Sequence, residues 1–289
     1  MNWVNTLISG ILVGGQYALY ATGLSLTFGV MRIINLAHGD MAVAAAFACS
    51  TLMLTLGWNP LAVIVVLVPL GFAGGWLLQR VAFDRLVGVD PSYQIVATFG
   101  LSIAVQNLLL RIYSPTPRGL NAGSIATASI RVTDDVAIGW FPLVRFVVAV
   151  AVLGALSVFI AGTRLGRAFR ATSDDSEAAR LMGIDNRVVY AVALGLSGAT
   201  IALAGVFNGI QTQFAAADGP LLLIYAFEAV VIGGLGSLWG TLVGGIVLGV
   251  SQTIGAEIEP GWKQLFGHLV FLAFLVVRPN GILGAKESR

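Results

Sequence analysis

Apolar stretches close to 20 residues long recur from one end of this 289-residue chain to the other. An α-helix needs about 20 apolar residues to cross the hydrocarbon core of a bilayer. Hydrophobic residues make up 57% of the chain and charged residues only 10%, whereas soluble domains carry roughly 25% charged residues. The sequence therefore predicts an all-α, polytopic integral membrane protein and excludes two soluble domains.

Polar loops divide the chain into nine apolar segments, two of which are short enough to be half-helices. The segments are 6–30, 41–56, 61–79, 95–112, 141–162, 188–210, 221–235, 238–256 and 265–277. Since the short ones need not cross the bilayer, we expect eight or nine membrane segments, some of them broken helices. They would form a single domain over residues 1–289.

The most charged loop, 163–187, orients the chain through the excess of basic residues that cytoplasmic loops carry. If this loop is cytoplasmic, eleven basic residues share its side: Arg32, Arg80, Arg85, Arg164, Arg167, Arg170, Arg180, Arg187, Arg278, Lys286 and Arg289. The five on the other side are Arg111, Arg118, Arg131, Arg145 and Lys263. The polar loop 114–140 would then be periplasmic. The N-terminal end would lie outside with nine crossings and inside with eight.

Loop 163–187 contains the pattern of a short capped helix. Asp174 can accept hydrogen bonds from the first free N–H groups of such a helix, and Glu177 three residues later completes a capping-box pattern. Gly183 suits the stop at the other end. The pattern thus predicts a helix over residues 174–182.

Small apolar side chains would form one face of this helix. Ala178, Ala179 and Met182 are spaced so that they lie together and fit a groove on a partner protein. A solvated loop that only follows the charge rule explains the same residues equally well. The spacing alone leaves both interpretations open.

Four stretches in this order resemble one family. They are 30–41 (VMRIINLAHGDM), 166–185 (beginning GRAFRA), 226–240 (AFEAVVIGGLGSLWG) and 277–284 (VRPNGILG). Together they strongly resemble permease subunits of branched-chain amino-acid ABC importers, the LivH-like family. The resemblance covers nearly the whole chain and is weakest over 114–140.

The resemblance implies an ABC importer permease fold in the bacterial inner membrane and several partners. Two cytosolic ATPase subunits, which carry ATP and Mg, would dock on the coupling loop. A second, related permease chain would complete the path, and a periplasmic or lipid-anchored binding protein would deliver the solute. The residues expected to couple to the ATPases are Gly166, Arg167, Ala168, Arg170, Asp174, Glu177, Ala178, Ala179, Met182 and Gly183. The family carries several classes of small polar solute, so the resemblance leaves the solute open.

Polar and glycine-rich breaks in the apolar segments are the candidates for the translocation path. A charge at mid-membrane costs about 2.5–3.5 kcal/mol on insertion scales, so it should face protein or water. Breaks in both halves also suggest two structural repeats. The candidates are Asn35, His38, Gly39, Asp40, Glu228, Gly233, Gly234 and Gly236. Interhelical hydrogen bonds, a capped turn and glycine packing are structural alternatives.

The sequence lacks the motifs of an ATPase or of a catalytic centre. Neither Lys263 nor Lys286 has the Gly-Lys-Ser/Thr context of a phosphate-binding loop. His38 and His268 are far apart, and the sequence has neither a Cys/His cluster nor a nucleophile motif. A net charge of +2 without a basic stripe excludes nucleic-acid binding.

We therefore predict a lipid-embedded transport subunit that is not an enzyme and holds no cofactor or metal. A self-sufficient small-solute channel or a secondary transporter is the alternative. An intramembrane enzyme is a weaker one, since the catalytic clusters it would need are missing.

Overall fold

The computed structural model describes residues 3–133 and 136–284. Within these ranges the chain forms α1 (Trp3–Met31), α2 (His38–Leu56), α3 (Pro60–Val81), α4 (Pro91–Tyr113), α5 (Trp140–Gly162), α6 (Arg164–Asp174), α7 (Ser176–Leu181), α8 (Asn186–Gln211), α9 (Gly219–Gly233), α10 (Leu238–Ile258) and α11 (Lys263–Val277). Three short 3₁₀ helices cover Phe83–Arg85, Gly123–Ala126 and Pro260–Trp262. When α3 and α11 are taken together with their adjoining 3₁₀ helices, eight of the described helices are long and apolar enough to span a bilayer, and α9 is shorter. The predicted polytopic helical class is confirmed.

One hairpin interrupts the helices between α4 and α5. Strands β1 (Ser129–Thr133) and β2 (Val136–Gly139) pair antiparallel. The sequence IRVTDD at 130–135 favours a short strand and turn. The structure confirms the strand, and residues 134–135 lie outside the described residues.

The helix ends define two faces of the molecule. The hydroxyl of Ser173 on α6 donates to the carbonyl of Gly29 near the end of α1, at 2.5 Å. At the opposite end, the amide of Asn59 before α3 donates to the carbonyl of Ala122, in the segment that leads to the hairpin. We call these the α7 face and the hairpin face. Helix α1 therefore begins on the hairpin face, opposite the charged loop, as expected for nine segments.

Helices α1–α4 and α8–α11 form two repeats that run in opposite directions. Each begins with a long central helix, followed by a non-helical segment, 32–37 or 212–218, and then by a helix that starts in the interior. The starts of α2 and α9 meet there, because the backbone of Gly39 lies against that of Gly219. Inverted repeats of this kind are common in transporters.

Each repeat packs its first helix on the third helix of the other, α1 on α10 and α8 on α3. Glycines line both seams. A Cβ on Gly75 of α3 would overlap the carbonyl of Leu194 on α8, and one on Gly14 of α1 would overlap the backbone of Ile246 on α10. Small residues allow membrane helices to approach this closely.

Candidate translocation cavity and coupling segment

The charged loop folds into two helices instead of one. Thr163 caps α6, since its hydroxyl accepts a hydrogen bond from the N–H of Gly166 at 2.9 Å. Helix α6 then continues through Asp174, and the chain breaks at the next residue. Asp175 caps α7, accepting from the N–H groups of Glu177 and Ala178, both at 2.9 Å. The predicted cap at Asp174 was therefore wrong by one residue, because α6 extends further than the sequence pattern indicated.

The exposed apolar surface of α7 differs in part from the predicted face. Ala179 is buried against the chain itself, whereas Ala178 is exposed. Leu181 is 80% exposed and Met182 84%. The exposed apolar surface is formed by Ala178, Leu181 and Met182, whereas Ala179 packs against the rest of the chain. Gly183 ends the segment at a positive φ of 85°, as its predicted stop role requires.

The remaining predicted coupling residues lie at the corner between α5 and α6. Gly166 is buried against the backbone of Ile160, where a side chain would overlap the main chain. The Arg170 guanidinium donates to the carbonyl of Ile160 at 2.5 Å. Arg167 is exposed and Ala168 is partly buried. These contacts tie α6 firmly to the end of α5.

The predicted polar break in the first half forms the junction of α2 and α9. Asn35 accepts a hydrogen bond from the N–H of Ala37 at 3.0 Å, and His38 Nε2 lies 2.8 Å from the carbonyl of Tyr20. Asp40 directly precedes the apolar segment 41–56 and is therefore a candidate cap for a helix there. It instead lies in the first turn of α2 and accepts from the Ser102 hydroxyl at 2.5 Å. Its carboxyl group also lies against Gly219, where a side chain would collide with it.

Glu228 faces protein, as the sequence predicted. It is buried on α9, and its Oε1 pairs with Nδ1 of His268 on α11. The Asp40–Ser102 bond joins α2 to α4 in the same way. Each repeat thus uses a buried carboxylate to join its second helix to its last.

The glycine-rich break at 233–240 is a turn between α9 and α10 on the α7 face. Gly233 lies against Gly240, and Gly234 lies against Gly284. Gly236 lines a smaller cavity of 190 Å³ near Gly29. The glycine-rich segment 233–240, predicted as a helix break along the path, is therefore a tightly packed turn at the α7 face. In the second repeat the helices are interrupted in the interior by segment 212–218 instead.

A larger cavity of about 480 Å³ opens on the hairpin face between α1, α5, α8, α9 and β2. Its polar side chains include Gln16, Tyr17, Tyr20, Arg145 and Asp218. None of the predicted path residues lines it. The sequence analysis did not select these side chains, although two signals were visible. Gln16 and Tyr20 are one helical turn apart in an apolar segment, and Arg145 lies inside another.

Comparison with known proteins gives a family, curated relatives and one solved structure. The sequence model of the family described as "Branched-chain amino acid transport system / permease component" matches residues 6–275. The high-affinity branched-chain amino acid transport system permease protein BraD of Pseudomonas aeruginosa is 30% identical over 99% of this chain and 97% of its own length. The corresponding protein LivH of Escherichia coli is 28% identical over 99% and 96%. PsaBC from Streptococcus pneumoniae, solved with a Fab, has a TM-score of 0.49 and 17% identity, covering 97% of this chain and 93% of that one.

Proposed function

The chain belongs to the family of permease components of branched-chain amino acid transport systems, and from that membership we propose its role in detail. It is the membrane-spanning permease subunit of an ATP-binding-cassette importer in the bacterial inner membrane. It forms half of the path for branched-chain or related amino acids. A second, related permease chain forms the other half, and separate ATPase subunits supply the energy.

The observation that carries this proposal is the coupling segment, residues 163–183. Leu181 and Met182 are largely exposed on a short capped helix at the α7 face. Exposed apolar side chains on a helix fit a groove on a partner. A fixed corner at Gly166 and Arg170 joins this helix to the membrane helix α5. Movement of a docked ATPase would therefore reach the membrane helices without a flexible linker between them.

If the protein were a self-sufficient channel or a secondary transporter, the coupling segment would have no partner to bind. Such a protein needs no docking helix at the α7 face. The exposed apolar surface of α7 therefore favours an externally driven permease.

The hairpin face would receive the solute from a periplasmic or lipid-anchored binding protein. The cavity opens on this face beside β2. The described parts of segment 114–140 form the longest connection between membrane helices on that side. We propose that this connection docks the binding protein, and a plain connector is the alternative.

Cross-linking tests the docking surface directly. Cys49 is the chain's single cysteine and is buried, so Cys49→Ala gives a background in which Met182→Cys adds one exposed thiol. In native membranes, a short bifunctional reagent should link Met182→Cys to a protein with an ATP-binding Walker motif, identified by mass spectrometry. Val89→Cys, in another exposed loop at the α7 face, is the matched control and should give little product.

Uptake measurements complete the test. Met182→Glu should abolish ATP-dependent uptake of leucine into proteoliposomes while leaving the amount of inserted chain unchanged. Val89→Glu should retain uptake. Full uptake by Met182→Glu, or uptake without ATP, would refute the proposed coupling.

A further inference from the structure

We infer that the cavity on the hairpin face binds the carboxylate of the transported solute, and that Arg145 is its anchor. The chemical class that fits is a zwitterionic α-amino acid with an apolar side chain. The identity of this ligand as the transported solute rests on the proposed function, whereas the anion site itself can be tested separately.

Arg145 has an unusual environment for a basic residue near the end of a membrane helix. Such side chains normally extend to the interface, where the charge meets water and headgroups. Arg145 is the sixth residue of α5, little more than one turn from its start, is only 3% exposed, and lines the cavity. Among the described residues no carboxylate pairs with it, and its Nε has no hydrogen-bond partner. A buried cation of this kind requires an anion.

Two further polar groups in the same cavity are buried and make no hydrogen bond of standard geometry. These are the hydroxyl of Tyr20 and Oε1 of Gln16, whose side chains neighbour each other. Gln16 and Tyr20 are four residues apart on α1 and therefore lie on one face of that helix. The amide of Gln16 donates to the carbonyl of Ala204 at 2.9 Å, which fixes the side chain. Buried polar groups almost always have partners, so three that lack such a bond around one cavity indicate a polar ligand.

The donors and acceptors match the two ends of an amino acid. Arg145 and Tyr20 can donate hydrogen bonds to a carboxylate. Gln16 can accept one from an ammonium group, and Asp218 adds a negative charge to the lining. Apolar side chains, including that of Leu222, complete the wall. The volume of 480 Å³ lies within the range of about 300–1,000 Å³ typical of small-ligand sites.

The first test measures the charge of the cavity and does not depend on transport. Ser9 lines the cavity, so Ser9→Cys in the Cys49→Ala background reports on it in the purified complex. Methanethiosulfonate reagents that carry a sulfonate or a trimethylammonium group are compared by their rates of thiol modification. The sulfonate should react faster, and Arg145→Gln should lower the rate ratio roughly tenfold, since field focusing in a cleft changes local ion concentrations by factors of about 10–10³.

Two variants control for loss of charge and loss of fold. Lys263→Gln removes a second cation that lines the cavity near α11 but is not enclosed by it, and should change the ratio less than Arg145→Gln does. Arg145→Lys should retain most of the preference. An unchanged ratio in a folded Arg145→Gln complex would overturn the assignment.

The second test identifies the ligand group. L-Leucine at millimolar concentration should slow modification of Ser9→Cys, whereas leucinamide, which lacks the carboxylate, should not. Tyr20→Phe should weaken this protection while leaving the charge preference in place. Equal protection by both compounds, or none by leucine, would overturn the carboxylate site. If wild-type complexes show no ATP-dependent uptake of leucine, the proposed function fails, but the charge and protection results still decide the site.

Discussion

The two glycine seams that join the repeats, α1–α10 and α3–α8, are packed alike but differ in what lies beside them. Beside the α1–α10 seam is the cavity with Gln16, Tyr20 and Arg145. Beside the α3–α8 seam is a groove of about 420 Å³ lined by apolar side chains and glycines, including Leu101 and Leu194. The two seams are thus packed alike, whereas polar side chains lie beside only one of them. Close backbone contact at a seam fixes the positions of its helices. The side chains beside the seam then determine whether the neighbouring cavity or groove is polar or apolar.

The largest expected effect tests whether both seams carry the fold. Gly75→Ala and Gly14→Ala should each destabilise the protein by about 1–3 kcal/mol, the cost of overpacking a filled interface. Gly74→Ala is the matched control, because nothing lies within 4 Å of a Cβ there. It should be neutral or stabilising by about 0.4–1 kcal/mol. Thermal unfolding in detergent measures all three.

If a Gly→Ala substitution destabilised the protein at only one seam, the two seams would not be equivalent. If Gly14→Ala unfolded the protein and Gly75→Ala did not, the α1–α10 seam would contribute more to stability than the α3–α8 seam. Changes of opposite sign in the free energy of unfolding for Gly74→Ala and Gly75→Ala would attribute the effect to the seam contact. The two neighbours differ in what a Cβ atom would meet.

A smaller effect should distinguish the two buried carboxylates. Ser102→Ala removes the hydroxyl partner of Asp40 and should cost about 1–2 kcal/mol, because a buried carboxyl oxygen loses a hydrogen bond. His268→Leu removes the partner of Glu228 but should cost less, since the His268 side chain is 40% exposed. Melting temperatures of the two variants give the comparison. A larger loss in His268→Leu would place the more important junction in the second repeat.

The smallest effect concerns the starts of the seam helices α3 and α10. Asn59 accepts from the N–H of Leu61 at 3.0 Å, and Ser237 accepts from that of Gly240 at 3.1 Å. Replacing either cap by Ala should cost about 0.5–2 kcal/mol. Thr55→Ala, at an exposed end without a cap role, should be nearly neutral in the same unfolding assay. Equal losses at the two caps would extend the symmetry of the repeats to their helix ends.

The long helices were predictable because membrane insertion itself selects uninterrupted apolar segments. The existence of a capped coupling helix was also predictable, since capping is local chemistry. The position of its cap was not, because Asp174 and Asp175 are chemically equal as caps. The choice depended on how far α6 could continue from its start at Thr163, which is set by packing on α5.

The cavity could not be located from the sequence, because its lining comes from residues far apart along the chain. Asp40 and Glu228 drew attention as charges in apolar segments, yet each serves a helix junction. Arg145 is equally charged and equally embedded, but proximity to a loop led to its being counted as an outer residue. Only the fold shows which charge lacks a partner.

Helix α5 belongs to neither repeat, and its single crossing is what turns the second copy upside down. An even number of crossings there would give two copies in the same orientation. Helix α5 also links the two candidate functional regions, the cavity and the coupling segment. Arg145 lies near one end of α5, and the corner at Thr163 follows the other, about 27 Å away at about 1.5 Å per residue over 18 residues. On the proposed function, a displacement of this corner by a docked ATPase would reach Arg145 through one unbroken helix.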